Sequence, residues 1–146
     1  MSTLLKTLLT AACAALPLAA SAGAPPGLSV QSPWMRYLLP TVPAAGYFTL
    51  VNNSDTPLDL AGAASPACYL TTLHDSSEAS GTSMMTTVPS VTIPAHGSVS
   101  FAPGGYHIMC MQPVMKVGDK VSLTLSFADG LSLAVTMPVY GAGGPP

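Results

Sequence analysis

Four side chains between residues 74 and 109 could together hold a metal ion: His74, Met85, His107 and Met109. Ten residues separate the first two, twenty-one the next two, and one the last two. His107 and Met109 fall in Gly104-Gly105-Tyr106-His107-Ile108-Met109-Cys110-Met111, whose alternation predicts a strand. Side chains alternate across a strand with a period of two. His107, Met109 and Met111 therefore share one face, and Tyr106, Ile108 and Cys110 the other. Two imidazoles with two thioethers make an uncharged, soft donor set. Such a set suits Cu(I), whereas Zn, Mg and Ca favour thiolate, imidazole or oxygen donors.

The rest of the chain offers little competing chemistry. No serine sits in a nucleophile-elbow setting, no pair of carboxylates stands out, and no glycine-rich phosphate loop leads into a helix. The reading is therefore a binding protein and not an enzyme. Met84 neighbours Met85 and should face the other way, into the core, while Met111 could line the site without ligating. His96, in Ala95-His96-Gly97, reads as a solvated turn residue. Trp34 reads as a core anchor, and Arg36 as the partner of a carboxylate or of backbone carbonyls, with a place at the border of the site as the alternative.

The elements that must position these groups are strands. Prolines recur every ten residues or so, and no segment sustains a 3.6-residue apolar period. Strands are expected at 28–35, 46–52, 58–63, 69–74, 82–88, 98–101, 106–111, 120–127 and 131–138. The clearest alternations are Val121-Leu123-Leu125-Phe127 and Leu131-Leu133-Val135, joined by the turn signal Ala128-Asp129-Gly130. Nine short strands imply a sandwich or barrel in which His74 ends a strand and Met85 follows a polar loop over 75–81.

Residues 1–22 read as a secretory signal, with Lys6 as the only charge, an apolar run interrupted by Pro17, and the cleavage pattern Ala20-Ser21-Ala22. Cys13 offers lipidation as the weaker alternative. Residues 23–140 then form one domain, and 141–146 a loose tail. After residue 22 the cations are Arg36, Lys116 and Lys120 against six carboxylates, so there is no basic patch for nucleic acid or anionic membrane. No stretch is long and apolar enough to span a membrane, and a monomer is expected. Cys68 and Cys110 invite a disulfide in an oxidising compartment, but Cys110 should face the core, so two buried thiols are the preferred reading.

The ligand spacing recurs in a recognisable setting: Trp34-x-Arg36, Ala45-x-Tyr47-Phe48, Asn52-Asn53, Ser65-Pro66, Ile93-Pro94-Ala95, Pro103-Gly104-Gly105-Tyr106, Gly118-Asp119 and Pro138-Val139. Over about residues 28–139 the chain resembles the periplasmic copper chaperones of the PCuAC type, a DUF461-like family. A lone His-x-Met would more often be ordinary strand filling, and the distant pair at the family's spacing reverses that balance. The resemblance implies a cupredoxin-like Greek-key β-sandwich or barrel. It also implies one Cu(I) held by His74, Met85, His107 and Met109 in the periplasm. The partner it implies is a copper acceptor, a cytochrome c oxidase subunit or another copper chaperone. Copper storage or sequestration is the alternative. A blue-copper electron carrier is a weaker rival, since no histidine follows Cys110 to complete a Cys-His set. Thr86 and Thr87 stand where the family usually carries basic residues, and the chain shows no Met- and His-rich tail for a second, Cu(II)-type site.

Overall fold

The computed structural model describes residues 23–79 and 82–146, and the signal expected at 1–22 lies outside the described residues. Among the described residues there are ten strands and no helix. They are β1 (Leu28–Arg36), β2 (Ala44–Asn52), β3 (Leu58–Ala64), β4 (Leu70–Ala79), β5 (Thr82–Thr87), β6 (Val91–Ile93), β7 (Gly97–Phe101), β8 (Tyr106–Met111), β9 (Lys120–Phe127) and β10 (Ser132–Tyr140). Hydrogen bonding links them in the order β5-β4-β8-β7-β2-β1-β10-β9-β3-β6, with β8 also pairing β2. Pairing is antiparallel except for β1 with β10 and β7 with β8. The sheet folds over on itself, so that the inward faces of its two halves share one core.

Period-two alternation builds that core. β9 buries Val121, Leu123, Leu125 and Phe127, and β10 adds Val135, Met137 and Val139 opposite. Between them Gly130 takes the left-handed backbone at φ 87° while the Asp129 carboxylate accepts the Leu131 amide at 3.0 Å, the turn chemistry this tripeptide predicts. β2 is buried along most of its length because it pairs with β1, β7 and β8. Near its start Gly46 is tightly packed, and a Cβ there would lie 3.2 Å from that of Ile108. Asn52, fully buried at the end of β2, donates to the carbonyls of Thr56 and Pro94 and accepts from the Ser54 amide and hydroxyl. That accounts for the Asn52 position as a clip on the turn into β3.

Three expectations are corrected. The polar loop expected over 75–81 is strand as far as Ala79. β4 continues through Asp75 and Ser76 to Ala79 and forms a hairpin with β5. The strand expected at 82–88 is present as β5, the edge strand, and what the sequence hid is the polar extension of β4 that pairs with it. β6 is a tenth strand, only three residues between Pro89 and Pro94, too short for alternation to register. Third, Cys68 and Cys110 are not two free thiols but a disulfide, with Cα atoms 5.3 Å apart. Thr71 of β4 pairs with Cys110 of β8, and the Tyr69 amide bonds the Met111 carbonyl at 3.0 Å, which carries Cys68 over the inward face of β8. The tail also stays near the fold: Gly144 packs so closely on the Trp34 ring that a Cβ there would come to 2.9 Å.

Candidate metal centre

The pairing of β4 with β8 sets His74 directly opposite His107, with Thr72 opposite Met109. The pairing of β4 with β5 sets Met85 opposite Ser76. Residues opposite each other share a face, as do residues two apart on one strand. His74, His107, Met109 and Met85 therefore all lie on the outer face of this part of the sheet, while Ile108 and Cys110 of β8 point into the core. The site is thus built on the face of three neighbouring strands, not at loop ends.

The two imidazoles are in contact, with ring centroids 5.5 Å apart and planes inclined by 45°. His107 is 5 % exposed, and its Nδ1–H donates to the Gly105 carbonyl at 3.2 Å. That bond selects the tautomer with its lone pair on Nε2, the arrangement that orients metal-binding histidines. Nε2 of His74 meets the Thr87 hydroxyl at 3.3 Å, while its Nδ1 is buried and has no hydrogen-bond partner. Leaving such an atom unpaired costs about 1–3 kcal/mol. When Nε2–H donates to Thr87, Nδ1 carries a lone pair that only an incoming group could use. Burial, reinforced by the neighbouring His107, lowers the His74 pKa and keeps its ring neutral, the form that binds metal.

Beside the imidazoles lies a cavity of about 290 Å³ whose wall includes His107, Met109, Met85, Tyr47 and Arg36. His74 does not line it and stands behind His107. On a flat sheet Met85 and Met109 would sit roughly 16 Å apart, four residues along and two strands across. That exceeds what two methionine side chains span through one ion, and sheet coiling is what lets both face the same cavity. Met85 is 61 % exposed on the edge strand, whereas Met109 is half-buried on an interior one. Met84 is 53 % exposed, not core as its alternation with Met85 suggested, because the edge hairpin has solvent on both sides. Met111 shares the Met109 face but lies two residues further from the imidazoles, opposite Leu70. His96 contacts Asp55 on the surface, well away from the site in the register.

Arg36 is the residue whose place is least evident from sequence. Arg36 pairs with Ala45, and Ala45 pairs with Met109, so three strands bring the guanidinium to the cavity. It lies 5.4 Å from the centre of the Tyr47 ring, which in turn packs on Trp34 at 4.8 Å. Burial raises the Tyr47 pKa and Arg36 partly offsets it, so Tyr47 keeps its proton. Among the described residues no three His, Cys, Asp or Glu side chains come together, and a four-donor site here must draw on thioethers.

An all-β fold of this topology defines a cupredoxin-like domain, here with imidazole and thioether donors on one face of three strands. The model of the family described as "Putative lipoprotein LpqE-like" matches residues 28–139, and the chain belongs to this LpqE-like family, the PCuAC (DUF461) copper chaperones. It is 31% identical over 121 residues to "Putative lipoprotein Lxx21020" of Leifsonia xyli subsp. xyli, covering 81% of this chain and 72% of that protein. Among solved structures it is similar to the Cu(I) form of DR1885 from Deinococcus radiodurans, at 34% identity and TM-score 0.64 over 80% of this chain and 79% of that one. The copper-bound PCuAC domain of PmoF2 matches 83% of this chain and 96% of its own at TM-score 0.66. Its 22% identity makes that a likeness of fold.

Proposed function

We propose that the chain is an exported carrier of Cu(I) that takes up one ion through His74, Met85, His107 and Met109 and hands it to an acceptor protein. The observation that carries this reading is the buried, partnerless Nδ1 of His74 beside His107, on the face that also presents Met109 and Met85. Family membership and the copper-bound relatives support the copper role. Neutral thioethers favour Cu(I) over Cu(II) and bind with moderate strength, so an acceptor's softer, charged ligands can displace them. No catalytic step is assigned to the site.

The destination we propose is an oxidase copper centre or another copper chaperone, and the compartment is the periplasm. Export is supported by the leading segment and by the lipoprotein description of the relatives, which keeps lipidation at Cys13 as the alternative to cleavage after Ala22. The test is a competition titration with a Cu(I) chelator followed by mixing of the loaded protein with an apo acceptor domain. One Cu(I) per chain, lost in His107→Ala, and movement of copper to the acceptor are expected. Uptake without transfer would favour sequestration, and no uptake would refute the site.

A further inference from the structure

The cavity beside the proposed ligands holds a cation that copper binding does not need. Cu(I) in four neutral donors carries one positive charge, and a guanidinium in the same cavity adds a second. Like charges at such a site are unfavourable unless an anion joins them. Arg36 forms no ion pair among the described residues, where the only such contact is between His96 and Asp55. Its stacking on Tyr47 holds the guanidinium at the cavity wall, and the small Ala45 between Arg36 and Met109 leaves the space open. The lining is largely apolar and partly open to solvent, with Leu38 45 % and Met85 61 % exposed. A cation within a largely apolar lining fits a protein partner that inserts one anionic side chain.

We propose that this cavity is an anion subsite in which Arg36 receives a cysteine thiolate of the partner protein as that thiolate enters the coordination of copper. The inference rests on the copper reading above. In the step, the cysteine releases its proton to solvent, and its sulfur donates an electron pair to Cu(I). One copper–thioether bond, that of the exposed Met85, breaks in exchange. Copper stays Cu(I), so no oxidant or reductant is required. Arg36 offsets the thiolate's charge and stabilises it over the thiol. Arg36 is a positioning residue and touches no copper.

The experiment compares the Cu(I)-loaded wild type with Arg36→Gln and Arg36→Lys. Transfer is followed by stopped flow to a short peptide bearing Cys-x-x-Cys, and to the same peptide with both cysteines replaced by methionine. Arg36→Gln is expected to slow transfer to the cysteine peptide about tenfold, the scale of lost electrostatic attraction. Its transfer to the methionine peptide stays unchanged. Removing a cation beside copper should also leave Cu(I) affinity equal or higher, whereas a merely structural role would lower it. Arg36→Lys keeps the charge and most of the rate, and the rates of wild type and Arg36→Lys, but not of Arg36→Gln, fall as salt rises. Equal rates for wild type and Arg36→Gln with the cysteine peptide would overturn the subsite, as would equal slowing with both peptides. Failure of the wild type to take up Cu(I) at all would overturn the copper reading instead.

Discussion

The disulfide makes the most quantitative demand on the fold. Cys68 and Cys110 are 42 residues apart in sequence, and their bridge ties the approach to β4 onto the inward face of β8, the strand that carries His107 and Met109. Closing a loop of that length removes about 13 cal/mol/K from the unfolded chain, or ~4 kcal/mol at 25 °C, in the chain-entropy account. The perturbation is the double variant Cys68→Ala, Cys110→Ala. Cys110 is fully buried, so a small cavity adds to the loss. For a domain of this size a loss of that order lowers Tm by roughly 10–20 °C. Urea unfolding with and without reductant gives the free energy, and thiol titration of the denatured chain counts the thiols. Copper uptake should survive in the double variant below its Tm, because neither sulfur lies on the ligand face. A stability change under about 1 kcal/mol, or two free thiols in the unreduced mature protein, would refute the bridge. Loss of Cu(I) binding in a variant that remains folded would place a cysteine among the ligands.

Met109→Leu should weaken Cu(I) binding about tenfold or more while costing the fold under ~1.5 kcal/mol, since leucine keeps the volume and removes the sulfur. Met85→Leu should cost less than Met109→Leu, because Met85 is exposed on an edge strand and must be ordered to bind; an equal loss in competition titrations would show Met85 already held in place. The lowered His74 pKa gives a pH signature of definite sign. The unfolded chain takes the proton first, so the apo protein has this stability in full above about pH 6.5 and loses it as pH falls from there through the lower folded value. His74→Gln should flatten that part of the Tm–pH curve, and an unaltered curve would remove His74 as its source. Mass spectrometry of protein from the native host should find an N-terminus at Gly23, and either an intact Met1 or a lipid on Cys13 would refute cleavage there.

Much of the candidate site's placement on the strands was legible because it rests on local rules. His107, Met109 and the inward Cys110 follow from alternation along one strand, which needs no knowledge of any neighbour. The soft character of the donor set follows from side-chain chemistry alone, and the turn at Asp129-Gly130 from two residue types. The juxtapositions, by contrast, came from pairing between distant segments. His74 faces His107 only through the register of β4 on β8, thirty-three residues apart in sequence. Arg36 reaches the cavity only because β1, β2 and β8 lie side by side. The polar half of β4 is a strand because pairing with β5 at the sheet edge satisfies its backbone without burying Asp75, Ser76 or Ser77. Cys68 meets Cys110 because a chain segment with no pattern of its own crosses the strand that contains Cys110. Periodicity reports which way a side chain points. Which side chains then meet is decided by long-range backbone pairing, and its register leaves no trace in either partner's local sequence.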